Sequence, residues 1–201
     1  KPRLQRGQTL MASDLCLVFG GVRSGKSAFA ESRVASLGRL NGGSILYVAT
    51  GVAVDDEMKE RIERHQQTRP ADWSTLEEPI RLAGRMIGLL GQEPSPGAVI
   101  IDSIDVWVAN LLMEHESKSK QAMEEIVIAE TDKLLVLTAM SDQAFVMVSS
   151  EVGMSLVPAE PLGRRFQDLL GTVNQRIAAT ATEVHLVVAG IPLEIKSGNG
   201  E

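Results

Sequence analysis

Five short apolar runs constrain this chain more than any other feature. They are "DLCLVFG" (14–20), "GSILYVATG" (43–51), "GAVIID" (97–102), "AFVMVSS" (144–150) and "EVHLVVAG" (183–190). Each is too short for a core helix, and glycine or polar residues bound it, so each reads as a buried strand. A strand that is apolar on both sides needs cover on both faces. Such runs alternating with helix-length segments predict a parallel sheet between helical layers.

The intervening segments supply the helices. "GKSAFAESRVASLG" (25–38) reads as a helix closed by Gly38. "DDEMKERIERHQQT" (55–68) has acids at its N-terminal end, where the helix dipole favours them, and Arg69-Pro70 ends it. "DWSTLE" (72–77) reads as a short strand, and 79–91 as a helix opening on proline. Helices are also expected over 103–116 and 119–140. In 161–181, Leu162, Phe166, Leu169, Leu170, Val173 and Ile177 form an apolar stripe at helical spacing. Aromatics are only 3% of the chain, so the core must be aliphatic. No repeat or linker divides it, and one domain over residues 11–201 is expected. The first ten residues carry three positive charges and no apolar stretch, which is not a secretory signal. They read as a disordered leader or an expression remnant before Met11.

Charge and cysteine content exclude several classes. The formal charge is −6 and no long basic run occurs, which disfavours nucleic acid and anionic membranes as partners. No apolar run approaches the ~20 residues of a membrane helix. A single cysteine, Cys16, rules out an internal disulfide, suits a reducing cytoplasm and is expected to be an inert buried thiol. His65, His115 and His185 lie far apart in sequence, so no His/Cys metal cluster is expected.

The chemistry begins at "GGVRSGKS" (20–27), which fits G-x-x-x-x-G-K-[ST] between a predicted strand and a predicted helix. Backbone N–H groups of such a turn can surround phosphate oxygens without side-chain clash, and the helix that follows adds its positive dipole end. Gly20, Gly21, Val22, Arg23, Ser24 and Gly25 are therefore candidate phosphate contacts. Lys26 supplies charge to the β/γ-phosphates, and Ser27 a hydroxyl ligand for Mg²⁺. Asp102 ends the third apolar run, where a water-mediated Mg²⁺ ligand of a P-loop fold belongs; the same aspartate could cap the next helix. The segment 151–161 follows the fourth strand on the side where open α/β sheets bind ligands, and reads either as part of a substrate site or as an ordinary connection. Trp73 and Trp107 read as packing residues. His65 shares a helix face with Met58, Arg61 and Ile62, and a lone histidine of this kind is more often packed or exposed than catalytic.

The order of motifs carries a resemblance that no single motif does. "GGVRSGKS", "YVATG", "DDEM..RI..H...RP..W.T.E.P", "DSIDVWVANLL", "EVGMSLVP", "NQRIA" and "LVVAGIPLEIK" together resemble the bifunctional adenosylcobinamide kinase/adenosylcobinamide-phosphate guanylyltransferases of cobalamin biosynthesis. The resemblance runs from about residue 15 to residue 196. It implies a P-loop NTPase-type three-layer α/β fold, with a mostly parallel sheet covered by helices on both faces. It implies two reactions: phosphorylation of adenosylcobinamide by ATP or GTP, then transfer of GMP from GTP to adenosylcobinamide phosphate through a GMP-histidine. The family's histidine falls on His65. Its nucleotide contacts fall on Gly20 to Ser27, on Thr50, Gly51 and Val52, on Gln66, Gln67, Thr68 and Arg69, on Glu77 and on Asp102. A homotrimer is implied as well.

Two positions depart from the pattern: Ser150 stands where the family often has Asn, and Asp105 where it often has Thr. Two other readings compete with the bifunctional enzyme. A P-loop kinase without nucleotidyl transfer leaves His65 without a role. A GTP-binding regulatory module would be expected to carry an N-K-x-D string that reads the base, and this chain has none.

Overall fold

The computed structural model describes residues 14–52, 60 and 70–197. The described strands are β1 (Leu15–Gly20), β2 (Ile45–Ala49), β3 (Ser74–Glu77), β4 (Ala98–Asp102), β5 (Ala144–Ser150), β6 (Glu183–Val188) and β7 (Ile191–Lys196). They form one sheet in the order β3-β2-β4-β5-β1-β6-β7. All pairings are parallel except β6 with β7. The helices are α1 (Lys26–Leu40), α2 (Leu82–Leu90), α3 (Ile104–Glu114), α4 (Lys120–Met140) and α5 (Pro161–Thr180).

Side-chain alternation divides each apolar strand between two cores. Leu15 and Leu17 of β1, Val99 and Ile101 of β4, and Phe145 and Met147 of β5 pack with α2 to α5. Cys16, Val18, Ile100, Val146 and Val148 point the other way, onto Ala30, Val34 and Leu37 of α1. This is the expected three-layer arrangement, and it explains why the strands carry no polar face. Trp107 is fully buried with its indole N–H donating to Ile80 O at 2.8 Å, so its role is packing. On α5 the stripe buries Leu169, Leu170, Val173 and Ile177, while Leu162 at its start remains exposed.

Three local expectations shift. The first helix does not close at Gly38 but runs to Leu40, with Asn41 at its C-cap. Gly38 is needed inside it because a Cβ there would lie 2.8 Å from Ile45 Cγ1. The helix expected over 79–91 starts only at Leu82; before it, Glu78 Oε1 accepts from the backbone N–H groups of Ile80 and Arg81. The fifth apolar run ends at Val188, not Gly190. Ala189 and Gly190, with φ of 52° and 80°, turn the chain into β7, a strand absent from the sequence reading. Positive φ at both central residues matches a type I′ hairpin, whose twist suits antiparallel strands. The sheet also brings Cys16 beside Glu183 and His185, residues far apart in sequence.

Candidate active site

The P-loop fills the gap between the end of β1 and the start of α1. Gly25 is the N-cap of α1 at φ 92°, and Arg23 takes φ 55°. The left-handed conformation at Gly25 strongly favours glycine. Crowding adds a second constraint at Gly25 and is the constraint at Gly20. A Cβ on Gly20 would lie 2.4 Å from Val187 O of β6, and one on Gly25 would lie 3.1 Å from Gly190 Cα. The β6–β7 hairpin therefore buttresses the loop, and Gly190 N–H donates to Ser24 O at 2.7 Å. Gly21 faces open space and Val22 is exposed, so this side of the loop is accessible. Lys26 folds over the turn, its Nζ donating to Gly21 O at 3.3 Å. Ser27 occupies the first turn of α1, where the helix N–H groups lack intrahelical partners.

Asp102 stands at the C-terminal end of β4, with β5 between its strand and that of the P-loop. The capping alternative falls: the N-cap of α3 is Ser103, and the Asp102 carboxylate accepts a hydrogen bond from Tyr47 Oη at 2.8 Å. Thr50 locks the neighbouring backbone. Its buried hydroxyl donates to Ser103 O and accepts from Ser103 N–H, both at 2.8 Å. Asn110 Nδ2 completes the lock by donating to Thr50 O at 2.8 Å. A hydroxyl and a carboxylate are the all-oxygen donors that suit a hard ion such as Mg²⁺, which is bound with several of its waters retained.

The remaining candidates divide into two groups. Gly51 and Val52 leave the end of β2, and Glu77 ends β3, which pairs with β2. β3 lies four positions from β1 in the sheet order. At ~4.8 Å per strand, Glu77 is roughly 19 Å across the sheet from the P-loop strand. His65, Gln66, Gln67, Thr68 and Arg69 lie outside the described residues. In sequence they lie between β2 and β3.

The loop after β5 lies against the P-loop. Glu151 N–H donates to Gly20 O at 3.1 Å, and Met154, Leu156 and Val157 are exposed. The two departures from the family pattern meet beside it. Ser150 Oγ donates to Asp105 Oδ2 at 2.6 Å, so a short hydroxyl and a carboxylate form one complementary pair. Asn174 of the "NQRIA" string steadies the same strand end, donating to Ser150 O at 3.0 Å and accepting from Ser149 Oγ at 2.6 Å. Sequence reasoning missed Tyr47, Asn110 and the β6–β7 hairpin as parts of the site. The Ala-Gly pair between alternating apolar residues was a usable signal for the hairpin. Tyr47 and Asn110 act through long-range contacts that leave no local signature.

The chain matches the family described as "CobU: Cobinamide kinase / cobinamide phosphate guanyltransferase" over residues 16–195. It is 38% identical over 189 residues to the bifunctional adenosylcobalamin biosynthesis protein CobU of Escherichia coli K12, covering 90% of this chain and 99% of that protein. To the bifunctional adenosylcobalamin biosynthesis protein CobP of Pseudomonas aeruginosa it is 34% identical over 180 residues, covering 90% and 96%. Among solved structures, one ATPase domain superposes with a TM-score of 0.56 at 10% identity, covering 94% of this chain and 79% of that one. The flagellar accessory protein FlaH of Methanocaldococcus jannaschii gives 0.50 at 15% identity, covering 92% and 78%. These structural likenesses place the fold among P-loop NTPases. With relatives matched along almost their whole length, the chain belongs to the CobU family of bifunctional cobinamide kinases and cobinamide phosphate guanyltransferases of adenosylcobalamin biosynthesis.

Proposed function

We propose that this enzyme phosphorylates adenosylcobinamide with ATP or GTP, and then transfers GMP from GTP to the phosphorylated product through a GMP adduct on His65. The observation that carries the reading is the family match over residues 16–195, which spans both the P-loop and the His65 string. In the first step the nucleotide's β- and γ-phosphates lie in the turn Gly20–Ser27, held by backbone N–H groups and the Lys26 ammonium. The substrate hydroxyl attacks the γ-phosphorus. The bond to the bridging oxygen breaks, the nucleoside diphosphate leaves and the hydroxyl proton is lost. Ser27 directly, and Asp102 through water, would hold Mg²⁺, which neutralises charge developing on the phosphoryl oxygens.

In the second step a neutral His65 nitrogen attacks the α-phosphorus of GTP and expels pyrophosphate. The new N–P bond is then cleaved by the phosphate oxygen of adenosylcobinamide phosphate, which leaves adenosylcobinamide-GDP and a free imidazole. Imidazole suits this because its neutral form, with an unperturbed pKa of ~6.5, keeps a nitrogen lone pair at physiological pH. Covalent transfer splits one difficult displacement into two easier ones. Arg61 and Arg69 supply charge for the incoming phosphates. Thr50 to Val52, Gln66 to Arg69 and Glu77 complete the nucleotide contacts, and the separation of Glu77 from the P-loop along the sheet favours two nucleotide subsites over one. The loop 151–161 belongs to the acceptor's site. The homotrimer implied by the resemblance and the reducing cytoplasm that a single cysteine suits belong to the same reading.

GTP labelled at the α-phosphate tests it. Wild-type protein should acquire an acid-labile, alkali-stable label, and His65→Asn none, while the kinase step is largely retained. Label at the wild-type level on His65→Asn would place the nucleophile elsewhere.

A further inference from the structure

Away from the P-loop, on the face of the sheet covered by α1, three potential metal ligands converge. Cys16 of β1 pairs in register with Glu183 of β6, and Val18 with His185. Alternation therefore turns Cys16, Glu183 and His185 to the same face. Their Sγ, carboxylate oxygen and imidazole nitrogen all lie within 4.8 Å of one another. Cys16 is 2% exposed and His185 9%. Arg33 of α1 forks onto Glu183, Nε to Oε2 at 2.9 Å and Nη2 to Oε1 at 2.7 Å. Phe29 packs its ring edge-on against His185, with centroids 5.0 Å apart.

One atom in this cluster is unaccounted for. His185 Nε2 is buried and has no hydrogen-bond partner among the described residues; Glu183 Oε2 stands off at 3.6 Å. A buried polar atom left unpaired is costly, and native structures rarely leave one without a ligand, water or ion. Here the unpaired nitrogen faces a thiol and a carboxylate.

We propose that Cys16 Sγ, His185 Nε2 and one oxygen of Glu183 form a binding site for a soft or borderline divalent transition-metal ion such as Zn²⁺, separate from the nucleotide's Mg²⁺ site. The donor set decides the class of ion. Thiolate and imidazole favour zinc and its neighbours over Mg²⁺, and three protein ligands leave a fourth position for water. Donors around a tetrahedral ion at ~2.0–2.3 Å lie roughly 3.3–3.8 Å apart, a spacing that His185 Nε2 and Glu183 Oε2 already have at 3.6 Å, and the thiol lies within 4.8 Å of both. Arg33 retains the second oxygen of Glu183 and orients the carboxylate, the role such outer partners play at metal sites. Binding releases one proton, as the ion replaces hydrogen on sulfur; thiolate and carboxylate offset its two charges, and the Arg33 charge remains at the partly exposed edge. The partly exposed Arg33–Glu183 side is the route of entry.

Co²⁺ is the probe, because a thiolate–Co²⁺ bond gives a charge-transfer absorption band and Cys16 is the chain's only thiol. The reduced full-length protein should titrate to one equivalent of thiolate-bound Co²⁺. Millimolar Mg²⁺ should not suppress the band, and neither should Lys26→Ala, which separates this test from the nucleotide reading. Cys16→Ser should lose the band, and His185→Gln should weaken binding at least tenfold. Zn²⁺ should raise the melting temperature of the wild type and not that of His185→Gln, a comparison that still decides if Cys16→Ser does not fold. Absence of the band at stoichiometric Co²⁺, or a band of wild-type affinity in His185→Gln, overturns the site.

Discussion

Gly20→Ala tests how tightly the P-loop is seated between β1 and β6. The added Cβ would lie 2.4 Å from Val187 O and 2.8 Å from Ser24 Oγ. The serine oxygen can rotate away, but the carbonyl belongs to a paired strand, since Gly20 is in register with Val187. Relief requires β1 and β6 to part by nearly an ångström at the point where the loop begins. Overpacking of this kind costs about 1–3 kcal/mol. At the middle of that range the melting temperature should fall by roughly 4–8 °C for a chain of this size. Gly21→Ala is the control, because its Cβ would meet no atom within 4 Å. It should stay within about 0.5 kcal/mol of wild type. Urea denaturation of the two variants, each with a nucleotide titration, measures the difference. Gly20→Ala should also lose nucleotide affinity, since Gly20 O holds Glu151 N–H and the turn starts from it. Equal stability of the two variants would refute the close packing of β1 against β6.

Lys26→Ala removes the cation that lies over the turn, and phosphoryl transfer should fall roughly 10²–10³-fold, read as kinase turnover with the fold intact by circular dichroism. Asp102→Asn keeps an acceptor for Tyr47 Oη but loses the charge; a Mg²⁺ titration of activity should shift to higher concentration with little change in melting temperature. The raised pKa of Cys16, about 12, keeps the native sulfur neutral at pH 8, so a thiol reagent should label the denatured chain quickly and the native chain barely. Its contribution to stability is fully present below the unfolded thiol's pKa and declines as pH rises from there towards 12, because only the unfolded chain has released the proton. A stability profile that rises over that alkaline range would contradict it.

Local order was legible in the sequence because it is written in local periods. The apolar runs, the stripe on 161–181 and the strand–turn–helix at 20–27 each declare themselves within a few residues, so the central strands, most helices and the phosphate-binding turn could be placed without coordinates. The places where that reading shifted were decided by neighbours distant in sequence. Gly38 looked like a helix end but is a helix interior residue made small by Ile45. β7 alternates Ile191, Leu193 and Ile195 with Pro192, Glu194 and Lys196, but it is exposed along its length, and its pairing with β6 is what holds it as a strand. The sheet order, which puts β5 between the Asp102 strand and the P-loop strand, comes from packing and from no single segment. The same holds for the meetings that matter most chemically: Tyr47 with Asp102, Ser150 with Asp105, and Cys16 with Glu183 and His185. A side chain's period records which face it buries, but not which strand will lie beside it. That partner is chosen when the whole sheet closes over its two cores.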